Sequence, residues 1–257
     1  VPMDQQERAL KADVDMVVAT PGRLMDHMRH DTPNFTGVEV LVLDEADRML
    51  DMGFWPDVQR ILSALPAVRQ TLLFSATMPA EVLKLTQEFL KGPQYVQVGR
   101  RGGPAQTITH AVQEVSAAEK TKWLAQWIRD ESAGPVLVFC RTKIGADRLA
   151  TRLGGMGIRA AALHADRTQQ QRMAAVEGFR TGTYPVLVAT DVAARGLDIE
   201  GIAHVVNFEV PDTPEAYVHR VGRTGRAEAT GSALTLVAPE ETRALRALEK
   251  AVGIRLQ

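Results

Sequence analysis

The chain has 257 residues, of which 45% are apolar, and a formal net charge of −1. That length suits one large domain or two ordinary ones, and the apolar share is that of a globular protein. No apolar stretch approaches the roughly 18 residues of a membrane-spanning helix, and a near-neutral surface is no general trap for polyanions, so any nucleic-acid contact must be local.

No signal-peptide pattern opens the chain. The single cysteine, Cys140, excludes an internal disulfide and argues against a thiolate metal site; it follows an apolar run and reads as a small buried residue. A cytoplasmic protein without membrane partners fits these features. The charge is uneven: residues 1–107 carry a net −3 and residues 108–257 a net +2.

Short apolar runs alternate with longer amphipathic ones, the pattern of parallel βαβ units. The chain begins at Val1 rather than Met and passes through a charged segment into an apolar run, so its start reads as a cut end. Residues 14–18 predict a strand that ends at Thr20-Pro21-Gly22-Arg23, where Pro and Gly turn the chain into a helix. Val40–Leu43 is wholly apolar and predicts a central strand covered on both faces. Residues 59–65 predict a helix, 71–74 a strand, the stretch from Pro79 a helix and 95–98 another strand. Residues 99–107, rich in Gly with Pro104, read as a linker. The rhythm then restarts. Strands are expected at 108–115, 136–139, 159–163, 186–189, 204–207 and 233–237, with helices at 118–130, 142–153, 168–180, 214–221 and 239–252. The expected organisation is an α/β protein of two parallel-sheet domains. Residues 1–98 hold too few strands for a complete domain, and residues 108–257 hold a full one.

Ligands of open α/β sheets sit outside the carboxyl ends of strands. Asp44-Glu45 closes the strand at 40–43. The pair could hold Mg²⁺ through water and deprotonate an attacking water, or it could be the acidic first turn of a helix. Ser75 and Thr77 close the next strand, as helix caps or as site hydroxyls. Residues 190–198 bring Thr190, Asp191, Arg195, Gly196 and Asp198 to the end of another strand. Gln169 and Arg172 share a helical face near His164 and Asp166. The run from Tyr217 to Arg226 sets His219, Arg220, Arg223 and Arg226 among Gly222 and Gly225. A solvated helix face is one reading. The glycines, poor in a helix interior, and the guanidinium fork suited to phosphate favour an anion site.

In order and spacing, these motifs resemble the DEAD-box family of RNA-dependent ATPases, in helicase superfamily two. Asp44-Glu45-Ala46-Asp47, Ser75-Ala76-Thr77, Thr20-Pro21-Gly22-Arg23, Val138-Phe139 with Thr142, His164 with Asp166, Gln169 with Arg172, Thr190 to Asp198 and His219 to Arg226 carry the likeness over nearly the whole chain. It implies two RecA-like domains, the first incomplete, and an ATP-dependent RNA helicase that uses ATP and Mg²⁺. Asp44 would hold Mg²⁺ through water and Glu45 would be the general base. Arg223 and Arg226 would reach the γ-phosphate, Asp198 the ribose, and Arg195 beside Gly196 would complete the nucleotide side. Asp47, Ser75, Thr77 and His219 would couple the nucleotide to domain closure. Thr20, Gly22, Arg23, Thr142, Arg172 and Thr190 would contact the RNA backbone without reading sequence. Among bacterial members the likeness is to the generalist type, with partners in ribosome assembly or RNA decay. Two departures stand out. Ala165 occupies a position where the family usually has Gly. No G-x-x-x-x-G-K-[ST] phosphate loop occurs anywhere in the chain. The family places that loop ahead of residue 1, so this chain is expected to be an N-terminally truncated fragment, inactive alone. The alternative is a non-catalytic RNA-binding module derived from a helicase.

Overall fold

The structure is a computed structural model that describes every residue except 1, 13, 31, 32, 79, 98–106, 195–198, 226–229 and 257. The chain divides into two compact units, Val1–Val98 and Gly99–Gln257. The linker expected at 99–107 lies outside the described residues apart from Thr107.

The first unit holds α1 (Met3–Leu10), α2 (Pro21–Arg29), β1 (Val40–Leu43), α3 (Ala46–Asp51), α4 (Trp55–Ala64), β2 (Gln70–Leu73) and α5 (Ala80–Phe89). β1 and β2 pair in parallel, Val40 opposite Gln70 and Leu43 opposite Leu73. Alternation decides their faces. Leu41, Leu43 and Leu73 turn into a core with Trp55, Val58, Leu62 and Leu85, where Trp55 meets Phe89 edge-on at 5.7 Å. Val40 and Val42 turn the other way and stay about half exposed, at 51% and 52%. The expectation that β1 is covered on both faces is therefore wrong for the described residues: only one face carries a helical layer. The strands expected at 14–18 and 95–98 are also absent, Val98 itself lying outside the described residues. The reason is common to both. A strand exists through its neighbour's hydrogen bonds, and β1 with β2 is the only pairing described in this unit, which leaves Met16, Val18 and Val96 largely exposed. α1 and α3 were not expected; each is short and strongly charged.

The second unit holds β3 (Ile108–Glu114), α6 (Lys120–Asp130), β4 (Val136–Phe139), α7 (Lys143–Gly155), β5 (Ala160–Leu163), α8 (Gln169–Arg180), β6 (Val186–Ala189), the single turn α9 (Asp191–Ala194), β7 (His204–Asn207), α10 (Pro214–Val221), β8 (Gly231–Val237) and α11 (Thr242–Val252). The six strands are all parallel, in the order β3-β8-β7-β4-β6-β5. β4 and β6 are buried at every position, as their unbroken Val/Leu runs require of strands covered on both faces. Val136, Val138, Val186 and Val188 face α6 and α7, while Leu137, Phe139, Leu187 and Ala189 face the α8 side. Cys140 is buried as expected, and burial raises its thiol pKa.

Helix starts follow local chemistry. Thr142 accepts the Gly145 N–H at 3.0 Å, Thr213 accepts that of Ala216 at 3.1 Å, and Thr168 with Gln171 forms a reciprocal capping box. Strands β7 and β8 are tied to α6 and to the chain ahead of α11 by a buried cation. Lys120, 3% exposed, donates to the Phe208 carbonyl at 2.9 Å and the Leu236 carbonyl at 2.8 Å, and pairs with Glu241. Burial pushes the Glu241 carboxyl up, but the Lys120 pair and the Ala238 and Val210 N–H groups outweigh it and hold its pKa below normal. This contribution is present above the ordinary carboxylate value of about 4.3 and fades as pH falls through the lower folded value. Lys120→Met is expected to cost about 3 kcal/mol in urea unfolding near pH 7, because it leaves a partly buried carboxylate unpaired, and less as the pH falls below about 4. A loss independent of pH would reject the pair as the source.

Candidate functional site

Parallel register brings the ends of β1 and β2 together. Phe74 N–H donates to the Leu43 carbonyl at 2.8 Å, and Ala46 N–H donates to the Phe74 carbonyl at 3.0 Å. Asp44-Glu45 and Ser75 to Thr77 therefore share one carboxyl edge. Asp44 is exposed and accepts the Glu45 N–H through Oδ1 at 2.8 Å. Glu45 has φ 53° and ψ 49°, the only positive φ at a non-glycine among the described residues. That left-handed backbone costs on the order of 1–3 kcal/mol and persists only where the surroundings impose it. The Asp44 carboxylate, which takes the Glu45 N–H, and the Ala46 backbone bond to Phe74 flank it here. The Glu45 carboxylate pairs with Arg48, one turn along α3.

Asp47 is the anchor of this edge. It is 4% exposed, and its Oδ2 accepts the Thr77 N–H at 2.8 Å and the Thr77 hydroxyl at 2.6 Å. Oδ1 accepts the Arg48 N–H at 3.0 Å. The Asp47 N–H donates to Ser75 Oγ at 3.1 Å, and the Ser75 hydroxyl donates to the Thr77 carbonyl at 2.6 Å. Burial opposes the charge on Asp47, but the bonds from Thr77, Arg48 and Ser75 together prevail and hold its carboxyl below the usual range. Ser75 and Thr77 are thus partners of Asp47 rather than caps. Elsewhere in this unit, Thr20 precedes α2 without capping it, and a side chain built on Gly22 would meet nothing within 4 Å. Arg23 approaches the Met3 sulfur at 3.3 Å.

In the second unit the carboxyl ends of β4, β6 and β7 converge on Arg220. Arg220 is 4% exposed, and its Nε and Nη2 donate to Asp191 at 2.6 and 2.7 Å. Its Nη1 donates to the Asn207 side-chain oxygen at 3.2 Å and the Glu209 carbonyl at 3.4 Å, and the guanidinium lies 5.2 Å from the Phe139 ring centre. A shallow depression beside it is lined by Phe139, Asp191, Ala194, Ala216, His219, Arg220 and Arg223. Burial raises the Glu209 carboxyl pKa, against the Arg141 N–H and the charges of Lys120, Arg141 and Arg220. α10 ends at Val221 and Gly222 turns the chain, so Arg220 lies in the helix and Arg223 beyond its end.

The structure groups Asp44, Glu45, Asp47, Ser75 and Thr77 on one edge of the first unit, and His219 and Arg223 in one depression of the second. Thr142 caps α7, Thr190 is buried at 9% exposure, and Arg172 lies half-buried in the first turn of α8 with Nε unpaired. Arg195, Gly196, Asp198 and Arg226 lie outside the described residues. Sequence reasoning missed the Asp191–Arg220 pair. Only the burial of Arg220 had a signal: it follows Tyr217 by three residues, hence on the same helical face, and Tyr217 is fully buried.

Thr77→Val removes one of the two Thr77 bonds to Asp47. In urea unfolding near pH 7 it is expected to cost about 1.5–3 kcal/mol, the range for a hydrogen bond to a charged group. The Asp47 contribution is present above the ordinary Asp value near 3.9 and lost as pH falls through the depressed folded value, so the difference should shrink as pH falls progressively below that ordinary value. An undiminished difference there would contradict the assigned network.

Comparison with known proteins gives this geometry a context. Residues 1–85 match the DEAD/DEAH box helicase model, and residues 119–228 match the helicase conserved C-terminal domain. The DEAD-box ATP-dependent RNA helicase CshA of Bacillus subtilis is 46% identical over 246 residues, which cover 96% of this chain and 50% of that protein. The corresponding Geobacillus kaustophilus protein is 42% identical over 99% of this chain and 55% of its own length. The chain thus spans about half the length of the curated relatives it matches. Among solved structures, Saccharomyces cerevisiae Dbp5 bound to RNA and ADP BeF3 superposes with a TM-score of 0.84 at 30% identity, over 93% of this chain and 64% of that one. A DEAD box protein of Methanococcus jannaschii gives 0.57 at 36% identity, over 100% of this chain and 69% of that one. With the parallel sheets, the strand-end acids and two matching helicase models, the chain belongs to the DEAD-box helicase family and has its RecA-like α/β fold.

Proposed function

We propose that the whole protein is an RNA-dependent ATPase that opens short RNA duplexes by closing a two-domain clamp, and that this chain supplies the acid edge and the arginine loop. The observation that carries the reading is the edge at Asp44-Glu45. A left-handed non-glycine backbone, held between bonded neighbours, presents two adjacent carboxylates outside the end of a parallel strand. Asp44 fits a water-mediated Mg²⁺ ligand, since it is exposed and has an oxygen beyond the one held by the Glu45 N–H. Bound there, Mg²⁺ would neutralise phosphate charge. Glu45 would orient and deprotonate the attacking water. Arg223 and Arg226 would stabilise the γ-phosphate charge as it develops. Asp198 would take the ribose, with Arg195 and Gly196 beside it. Asp47, held by Ser75 and Thr77, and His219 would transmit nucleotide state to closure.

Thr20, Gly22, Arg23, Thr142, Arg172 and Thr190 would hold the RNA backbone. The open space at Gly22 supports close approach of a phosphate chain. Such contacts confer affinity without sequence selection. Partners in ribosome assembly or RNA decay, as for a generalist bacterial helicase, belong to the same proposal.

In the whole protein, Glu45→Gln is expected to lower the kcat of RNA-stimulated ATP hydrolysis by about 10²–10⁴ while ATP still binds, and Arg223→Ala by about 10³ or more. The 257 residues alone, which contain no Gly-rich phosphate loop, should show negligible turnover. Robust hydrolysis by the 257 residues that Glu45→Gln abolishes would contradict the division of labour. A whole protein that binds RNA but never hydrolyses ATP would favour the non-catalytic module.

A further inference from the structure

The second unit begins with β3, and β3 lies directly against the arginine loop. The Thr107 hydroxyl donates to the Gly225 carbonyl at 3.0 Å, while the Thr107 carbonyl accepts the Gly231 N–H, also at 3.0 Å. Gly225 has φ +68°, and a Cβ built on it would fall 2.6 Å from Ile108 Cγ1. Closeness and backbone both demand glycine at this position. Glycine, however, is the residue least able to fix its own conformation. One residue earlier, Thr224 is 2% exposed and donates to the Ile202 and Ala203 carbonyls. The turn from Gly222 to Gly225 is therefore held by Thr224 from one side and by Thr107 from the other. Farther along β3, His110 Nδ1 meets the buried Tyr217 hydroxyl of α10 at 2.7 Å.

We propose that Thr107 is a positioning residue for the arginine loop: its hydroxyl pins the Gly225 peptide and so fixes the direction in which the chain presents Arg223. The same residue immediately precedes β3, so the loop is tied to the start of that strand. The inference rests on the phosphate role proposed for Arg223.

The test compares Thr107→Val, which keeps the shape and removes the donor, with Thr107→Ser, which keeps the donor, in the whole protein. Thr107→Val should lower kcat of RNA-stimulated ATP hydrolysis roughly tenfold, since small misplacements of a reacting group are costly in rate. Apparent affinity for RNA should be unchanged, and the thermal midpoint should move by no more than about 4 °C. Thr107→Ser should restore kcat. Amide hydrogen exchange in Thr107→Val should rise at residues 222–225 and not in β4, β6 or β7. Wild-type kcat in Thr107→Val, equal losses in both variants, or faster exchange throughout the unit would each overturn the proposal. Arg223→Ala serves as the reference. If that variant also keeps full kcat, the phosphate role of Arg223 is what has failed. If Arg223→Ala is inactive while Thr107→Val is not, only the positioning role is rejected.

Discussion

The second unit depends on one buried ion pair. A guanidinium removed from water is stable only when its donors are matched, and leaving one such charge unpaired costs several kcal/mol. Arg220 meets that demand with both oxygens of Asp191, the Asn207 amide oxygen and the Glu209 carbonyl, over the face of Phe139. Those partners come from the ends of β4, β6 and β7. The end of α10 is therefore fixed to three strands by a single side chain. Gly222 then ends the helix, so Arg223 does not follow Arg220 into the buried slot but sits half-buried in the lining of the depression beside it.

The first unit reaches a comparable result with an anion. Asp47 gathers donors from Thr77 and Arg48 and draws Ser75 into the same network, so that two strand ends are locked to the start of α3. That lock sits beside the strained backbone of Glu45. Exposed Asp44 and left-handed Glu45 thus rest on a base of buried, hydrogen-bonded side chains. In each unit a buried, hydrogen-bonded charge lies within a few residues of the more accessible charges proposed for chemistry.

Much of this was legible in the chain. β4 and β6 could be placed because unbroken apolar runs leave few other folds, and α7, α8 and α10 because Thr142, Thr168 and Thr213 cap them. The candidate acids at 44 and 45 could be read from their position after such a strand, and the arginines from the glycines set among them. The apolar runs at 14–18 and 95–98 could not be judged the same way, because a strand is a relation between segments and composition describes only one of them. The Asp47–Thr77 lock spans thirty residues and the Asp191–Arg220 pair twenty-nine, distances at which sequence carries no contact signal. Arg220 in particular looked equivalent to Arg223 by spacing, and only the burial of Tyr217 on the same face separates them.

Asp191 and Arg220 act as one unit at the base of the arginine loop. A double-mutant cycle with Asp191→Asn and Arg220→Met, read by urea unfolding of the whole protein, measures this directly. Each single change is expected to cost about 3 kcal/mol, with the double variant costing clearly less than their sum, because removing both charges leaves neither unpaired. Strictly additive losses would show that the two side chains act independently, and would contradict the pair as the element on which the loop is built.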